Sequence, residues 1–98
     1  MPQQQPGAPV LVLENDVETS HYKMFKVLIH NDDVNDMVHV VRSLIEVFRF
    51  EADKAIEIMT EAHTKGLALC AVEPLERAEL HRDQLQSLSL SATIESAE

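Results

Sequence analysis

Met24-Phe25-Lys26-Val27-Leu28-Ile29-His30-Asn31-Asp32-Asp33-Val34-Asn35-Asp36-Met37, continuing through Val40, Val41, Leu44 and Ile45 to Phe48, is the stretch that decides the fold. Met24–Ile29 is rich in β-formers and stops at a polar knot, His30-Asn31-Asp32-Asp33, so it reads as a strand followed by a loop. Asn35 or Asp36 then offers an N-cap. Beyond it Met37, Val40, Val41, Leu44, Ile45 and Phe48 recur at i, i+3, i+4, i+7, i+8 and i+11, one face of an α-helix.

Working outward, Arg49-Phe50-Glu51 breaks that period, and a second helix is expected from about Ala52 to Thr64. Its expected inner face is Ala52, Ala55, Ile56, Met59, Ala62 and His63, with Gly66 supplying the left-handed residue that ends it. Leu67–Val72 is apolar throughout and too short for a helix, so it is expected as a buried strand. Pro74 fits the first turn of a third helix that faces Leu75, Ala78, His81 or Arg82, and Leu85 inward. Leu88, Leu90, Ala92 and Ile94 alternate with Ser89, Ser91 and Thr93, a half-buried strand. The order β-α-α-β-α-β implies an α+β domain with helices on one face of a small three-stranded antiparallel sheet.

Ninety-eight residues leave room for one domain. Residues 1–22, with three of the four prolines, low complexity and no bases, read as a flexible N-terminal extension; residues 23–98 form the core domain. Val10-Leu11-Val12-Leu13 is the extension's one apolar patch, readable as solvated tail or as an edge strand for a partner. The formal charge of −9 with no basic cluster argues against nucleic acid. No apolar stretch approaches the ~20 residues a membrane span needs. The first basic residue is Lys23, which does not suit a secretory or transit peptide, and the lone Cys70 suits a reducing compartment. These features together point to a cytoplasmic protein.

Phe25-Lys26-Val27-Leu28-Ile29-His30-Asn31-Asp32-Asp33, then Met37, Ala62-His63-Thr64-Lys65-Gly66 and Cys70 resemble the ClpS family of adaptors for Clp ATPase–protease machines. The resemblance spans about residues 23–80 and the Ala92-Thr93-Ile94-Glu95 strand. Its fold, shared with the C-terminal domain of the bacterial ribosomal stalk protein, has the element order read above. The resemblance implies a non-enzymatic adaptor, monomeric and free of cofactors and metal. It implies binding of N-degrons (free N-terminal Leu, Phe, Tyr or Trp) and their delivery to the N-terminal domain of a ClpC- or ClpA-type ATPase.

By motif position, Asn31, Asp32 and His63 are implied to surround the substrate α-ammonium group. Met37, Val40, Met59 and Leu90 are implied to line the pocket for the first side chain. Asp33 and Asn35 are implied to support the loop or contact the peptide backbone, and Glu76 and His81 to dock the ATPase. An α-amino group has a reference pKa of about 7.7–8.0, so it meets these acceptors mostly as a cation with three donors.

Without that pattern, the polar knot reads as an ordinary loop and the apolar positions as plain core. Asp32, Asp33 and His63 also suit a metal-dependent hydrolase in residue type, but no close-spaced ligand pair accompanies them. His30 and His39 read as surface residues, and Cys70 as an inert core thiol. The chain departs from the family where Val34-Asn35-Asp36 replaces the usual Tyr-Thr-Pro and where His81 replaces a more usual Arg or Lys. Such departures resemble a divergent second paralogue of the cyanobacterial kind. They leave open a protein that docks on a Clp ATPase to modulate it without reading N-termini.

Overall fold

The computed structural model describes residues 23–98. The expected flexible extension over residues 1–22, with its Val10–Leu13 patch, lies outside the described residues. The elements are β1 (Met24–His30), α1 (Met37–Phe48), α2 (Ala52–Lys65), β2 (Leu67–Pro74), α3 (Leu75–Ser87) and β3 (Ser91–Ser96). This is the order expected from the sequence. The three strands form one sheet in the order β2-β1-β3, and both pairings are antiparallel.

Three adjacent residues of β1, Val27, Leu28 and Ile29, are all buried. Val27 and Ile29 face the helices and join Leu44 of α1, Ala55, Ile58 and Ala62 of α2, and Ala78 and Leu85 of α3 in the core. Leu44, Leu85 and Val27 are the largest fully buried side chains. Truncating such a leucine to alanine costs ~2–5 kcal/mol.

β2 differs from the expected fully buried strand. Ala68 and Cys70 point inward, while Leu67, Leu69 and Val72 are 44–45% exposed. The helices cover only one face, so the small side chains sit beneath them and the large ones lie on the open face. Val27 pairs with Ala71 but Leu28 with Leu69, which makes Cys70 the extra residue of a β-bulge. Burial pushes the Cys70 thiol up to about 12, consistent with an inert core thiol.

The helices carry smaller corrections. α2 buries Ile58 rather than Ile56, which is 45% exposed. Ala55, Ile58 and Ala62 recur at i, i+3 and i+7, a face rotated from the expected one, and Ala52 lies exposed outside it. Asp36, not Asn35, caps α1 by accepting the backbone N–H of His39 at 2.8 Å. Arg49 closes α1 in the left-handed region at φ 63°, which folds Phe50 back to stack on Phe48 with ring centroids 4.9 Å apart. Pro74 sits at the N-cap of α3 rather than inside its first turn, and Leu75 points to solvent. β3 begins only at Ser91, because Ser89 adopts a left-handed φ of 72°.

His30 and His39 are half-buried rather than on the surface. His30 closes β1, its Nε2 2.8 Å from the Thr93 hydroxyl across the sheet. The His39 ring donates from Nε2 to the Leu88 carbonyl at 2.6 Å. Among the described residues, no helix is long and apolar enough to cross a membrane.

Candidate functional site

The end of β1, the start of α1 and the end of α2 converge at one corner of the sheet. Gly66 makes the junction. At φ 96° it ends α2, donates to the Ala62 carbonyl and accepts the Asn31 backbone N–H at 2.9 Å. One glycine therefore sets Asn31, at the start of the loop, beside His63 in the last turn of α2.

Asp32 builds the loop. Its Oδ1 accepts the backbone N–H groups of Val34 and Asn35, each at 3.0 Å, an Asx-type turn. The Asn35 side-chain amide donates to both carboxylate oxygens at 3.2 Å, and the Ser91 hydroxyl donates to Oδ2 at 2.9 Å. The Asn35 backbone N–H holds the Asp32 carboxyl below the usual carboxylate range; burial opposes it, and Ser91, the Val34 N–H and the Asn35 side chain give smaller further help. Asp33 differs: it is exposed, and its side chain bonds to no other described residue. The side chains of Asn31 and His63 are likewise exposed and uncommitted among the described residues.

These side chains ring a cavity of about 320 Å³. Asn31, Asp32, Asp33, Asn35, Asp36, His30 and His63 supply its polar rim; Ile29, Met37, Val40, Met59, Ala62 and Leu90 its apolar wall. Met37 is 48% exposed, so this apolar side chain stands at the cavity instead of closing into the core. The lining has three carboxylates and no Lys or Arg. At the same corner the C-terminal end of α2 presents the negative end of a helix dipole and the N-terminal end of α1, capped by Asp36, a positive one, so the net negative character comes from the carboxylates. The cavity therefore joins an acidic rim to an apolar wall.

The chain matches the family model "ATP-dependent Clp protease adaptor protein ClpS" over residues 20–93. It belongs to the ClpS family. The ClpS adapter of Nitratidesulfovibrio vulgaris (strain Miyazaki F) is 46% identical over 69 residues, covering 70% of this chain and 67% of the relative. The adapter of Synechococcus elongatus is 43% identical over 72 residues, covering 72% and 76%. The structure of Agrobacterium tumefaciens ClpS2 bound to L-phenylalaninamide superposes with a TM-score of 0.76 at 29% identity, covering 78% of this chain and 99% of that one. ClpS proteins are adaptors to a Clp protease, and the superposition on the Agrobacterium structure carries the element order and the three-stranded sheet.

Nine residues singled out from the sequence, Asn31, Asp32, Asp33, Asn35, Met37, Val40, Met59, His63 and Leu90, line this cavity. Asp36, whose charge was expected near the pocket mouth, also lines it, as do Ile29, His30 and Ala62, which were not singled out as site residues. Ala62 was legible, because it completes the i, i+3, i+4 set Met59, Ala62, His63. Glu76 and His81 lie elsewhere, on α3. Glu76 is exposed in the first turn. The His81 side chain is only 14% exposed, donates to Glu73 at 2.8 Å and packs against Phe48. Among the described residues, no group of three His, Cys, Asp or Glu side chains is placed to hold a metal ion.

Proposed function

We propose that this protein captures polypeptides by a free N-terminal ammonium group and a large apolar first side chain, and delivers them to the Clp ATPase–protease. The observation that carries this is the composition of the cavity: a carboxylate-rich rim without Lys or Arg, joined to a wall of Met37, Val40, Met59 and Leu90. L-Phenylalaninamide, the ligand of the Agrobacterium relative, has both halves of that pattern. A volume near 320 Å³ lies at the small end of ligand pockets, ~300–1,000 Å³, and suits one residue rather than a peptide.

The ammonium group takes Asn31 Oδ1, a His63 ring nitrogen and the Asp33 carboxylate as acceptors. Asp33 enters here in place of Asp32, whose oxygens already hold the loop; Asp32 contributes its charge and the loop's shape. Each charge-assisted hydrogen bond contributes roughly 1.5–3 kcal/mol, and burial of a Leu or Phe side chain ~1.5–3 kcal/mol. Acetylation removes the charge and two of the three donors, so it abolishes capture.

No covalent step is involved. The adaptor acts as a cytoplasmic monomer, and holding the substrate near the ATPase raises its effective concentration there. The exposed first turn of α3, with Glu76 beside Leu75 and Leu80, is the face offered to a ClpC- or ClpA-type N-terminal domain; His81 supports that face from beneath.

The test is binding of labelled peptides with free and acetylated first residues. Affinity for free Leu, Phe, Tyr or Trp termini that acetylation removes supports the reading. Absence of that difference leaves a family member that docks on the ATPase without reading N-termini.

A further inference from the structure

Leu90 forms one wall of the cavity, yet it belongs to none of the regular elements. It sits in the short Leu88–Leu90 segment between α3 and β3, which includes the left-handed Ser89. The segment's backbone donors all turn back onto α3: Leu88 and Leu90 reach the Leu85 carbonyl, and Ser89 reaches that of Gln86. Its carbonyls turn the other way. The Leu88 carbonyl accepts from the His39 ring at 2.6 Å, and the Ser89 carbonyl from the Asn35 amide at 2.7 Å. Asn35 and His39 are four residues apart, on one side of the start of α1. Met37 and Val40, between and beyond them, line the cavity.

We propose that Asn35 and His39 are specificity-determining positioning residues, a two-point latch that fixes the distance from the α1 wall to the Leu90 wall and so the size of first side chain admitted. The inference rests on the N-terminus reading above and names what sets its selectivity.

The chemistry at position 35 requires an amide. Its two N–H donors serve two acceptors at once, the Asp32 carboxylate and the Ser89 carbonyl. A threonine hydroxyl, usual at this place in the family, has one proton and satisfies one of them. With Asn35 the loop that shapes the polar rim and the segment that carries Leu90 are tied together. The His39 half of the latch bonds the Leu88 carbonyl and none of the rim side chains, so releasing it alters the room for the side chain and leaves the reading of the free terminus intact. Asn35→Thr also loosens Asp32 and is expected to weaken every free peptide besides shifting the ratio.

The test compares Asn35→Thr, His39→Ala and His39→Gln with the parent, using anisotropy of labelled peptides starting with Leu, Phe or Trp, free and acetylated. Glutamine can place an amide N–H near the position of the histidine Nε2 and is the rescuing variant. With the latch released, the Leu90 wall gives way. The Trp-to-Leu affinity ratio is then expected to rise about tenfold in Asn35→Thr and His39→Ala, the scale on which a methylene's worth of pocket space discriminates. His39→Gln stays near the parent, and all variants still reject acetylated peptides. A ratio unchanged in both released variants, or equal weakening of every peptide, overturns the latch. If His39→Ala does not fold, the Asn35→Thr ratio decides alone. A parent that ignores acetylation overturns the N-terminus reading instead, which separates the two failures.

Discussion

Replacing Asp33 with asparagine separates the two acids of the loop. Asp33 is exposed and bonds to no other described side chain, so Asp33→Asn should leave folding stability within about 0.5 kcal/mol. The substitution keeps the size and removes the charge proposed to face the ammonium group. A hydrogen bond to a charged group contributes about 1.5–3 kcal/mol, roughly 10- to 150-fold in Kd. Exposure places the expected loss at the low end, about tenfold. Asp32→Ala should behave in the opposite order. It strips the acceptor from Val34, from Asn35 and from Ser91, of which Asn35 is half-buried. The expected cost is about 1–2 kcal/mol of stability, a fall in Tm of roughly 5–10 °C for a domain of this size. Affinity falls with it, because the rim loses its shape. Urea and thermal melts give the first quantity, and anisotropy with a free Leu-started peptide gives the second. Full affinity in Asp33→Asn, or an unshifted melt in Asp32→Ala, would refute this division of labour.

Three further outcomes can be checked directly. Met37→Ala should strengthen binding of Ile- and Val-started peptides, expected to be weak in the parent if the half-exposed Met37 side chain meets a second branch at Cβ; an unchanged affinity removes Met37 as the gate. Gly66→Ala should cost about 1–2 kcal/mol by urea melts from its positive φ, with no packing clash, since nothing lies within 4 Å of an added Cβ; a neutral melt would show that the cap can relax. Because the Asp32 carboxyl is held below its ordinary value, its contribution is fully present above about pH 4 and is lost as pH falls through its folded pKa; in Asp32→Ala, stability should therefore fall less steeply below pH 4 than in the parent.

Most of the fold was legible because the chain speaks in clear periods. The apolar positions of α1 recur at helical spacing, and the β-formers of β1 end at a polar knot. β2 was misread as fully buried because Leu67, Leu69 and Val72 are apolar on the open face as well as Ala68 and Cys70 on the closed one. Composition alone cannot show which face a sheet leaves uncovered. The inner face of α2 was rotated for a similar reason: Ile56, Ile58 and Met59 supply apolar residues around much of the helix, and packing selects Ile58. Members of the candidate site could be named only because the Asn31-Asp32-Asp33, Met37 and His63 pattern resembles the ClpS family; without it the polar knot reads as an ordinary loop. Which acid is committed to the loop could not, because Asp32 and Asp33 are chemically identical until the backbone turns. The His39 and Asn35 contacts join residues 49 and 54 positions apart, pairings that only the folded chain brings together.

The most direct measurement is fluorescence anisotropy of the full chain with short peptides starting with Leu, Phe, Tyr, Trp, Ile or Val, each free and acetylated. Binding of the free Leu and aromatic termini, lost on acetylation and weak for Ile and Val, is the expected result. Equal binding of free and acetylated peptides, or none across the set, would contradict recognition of the N-terminus.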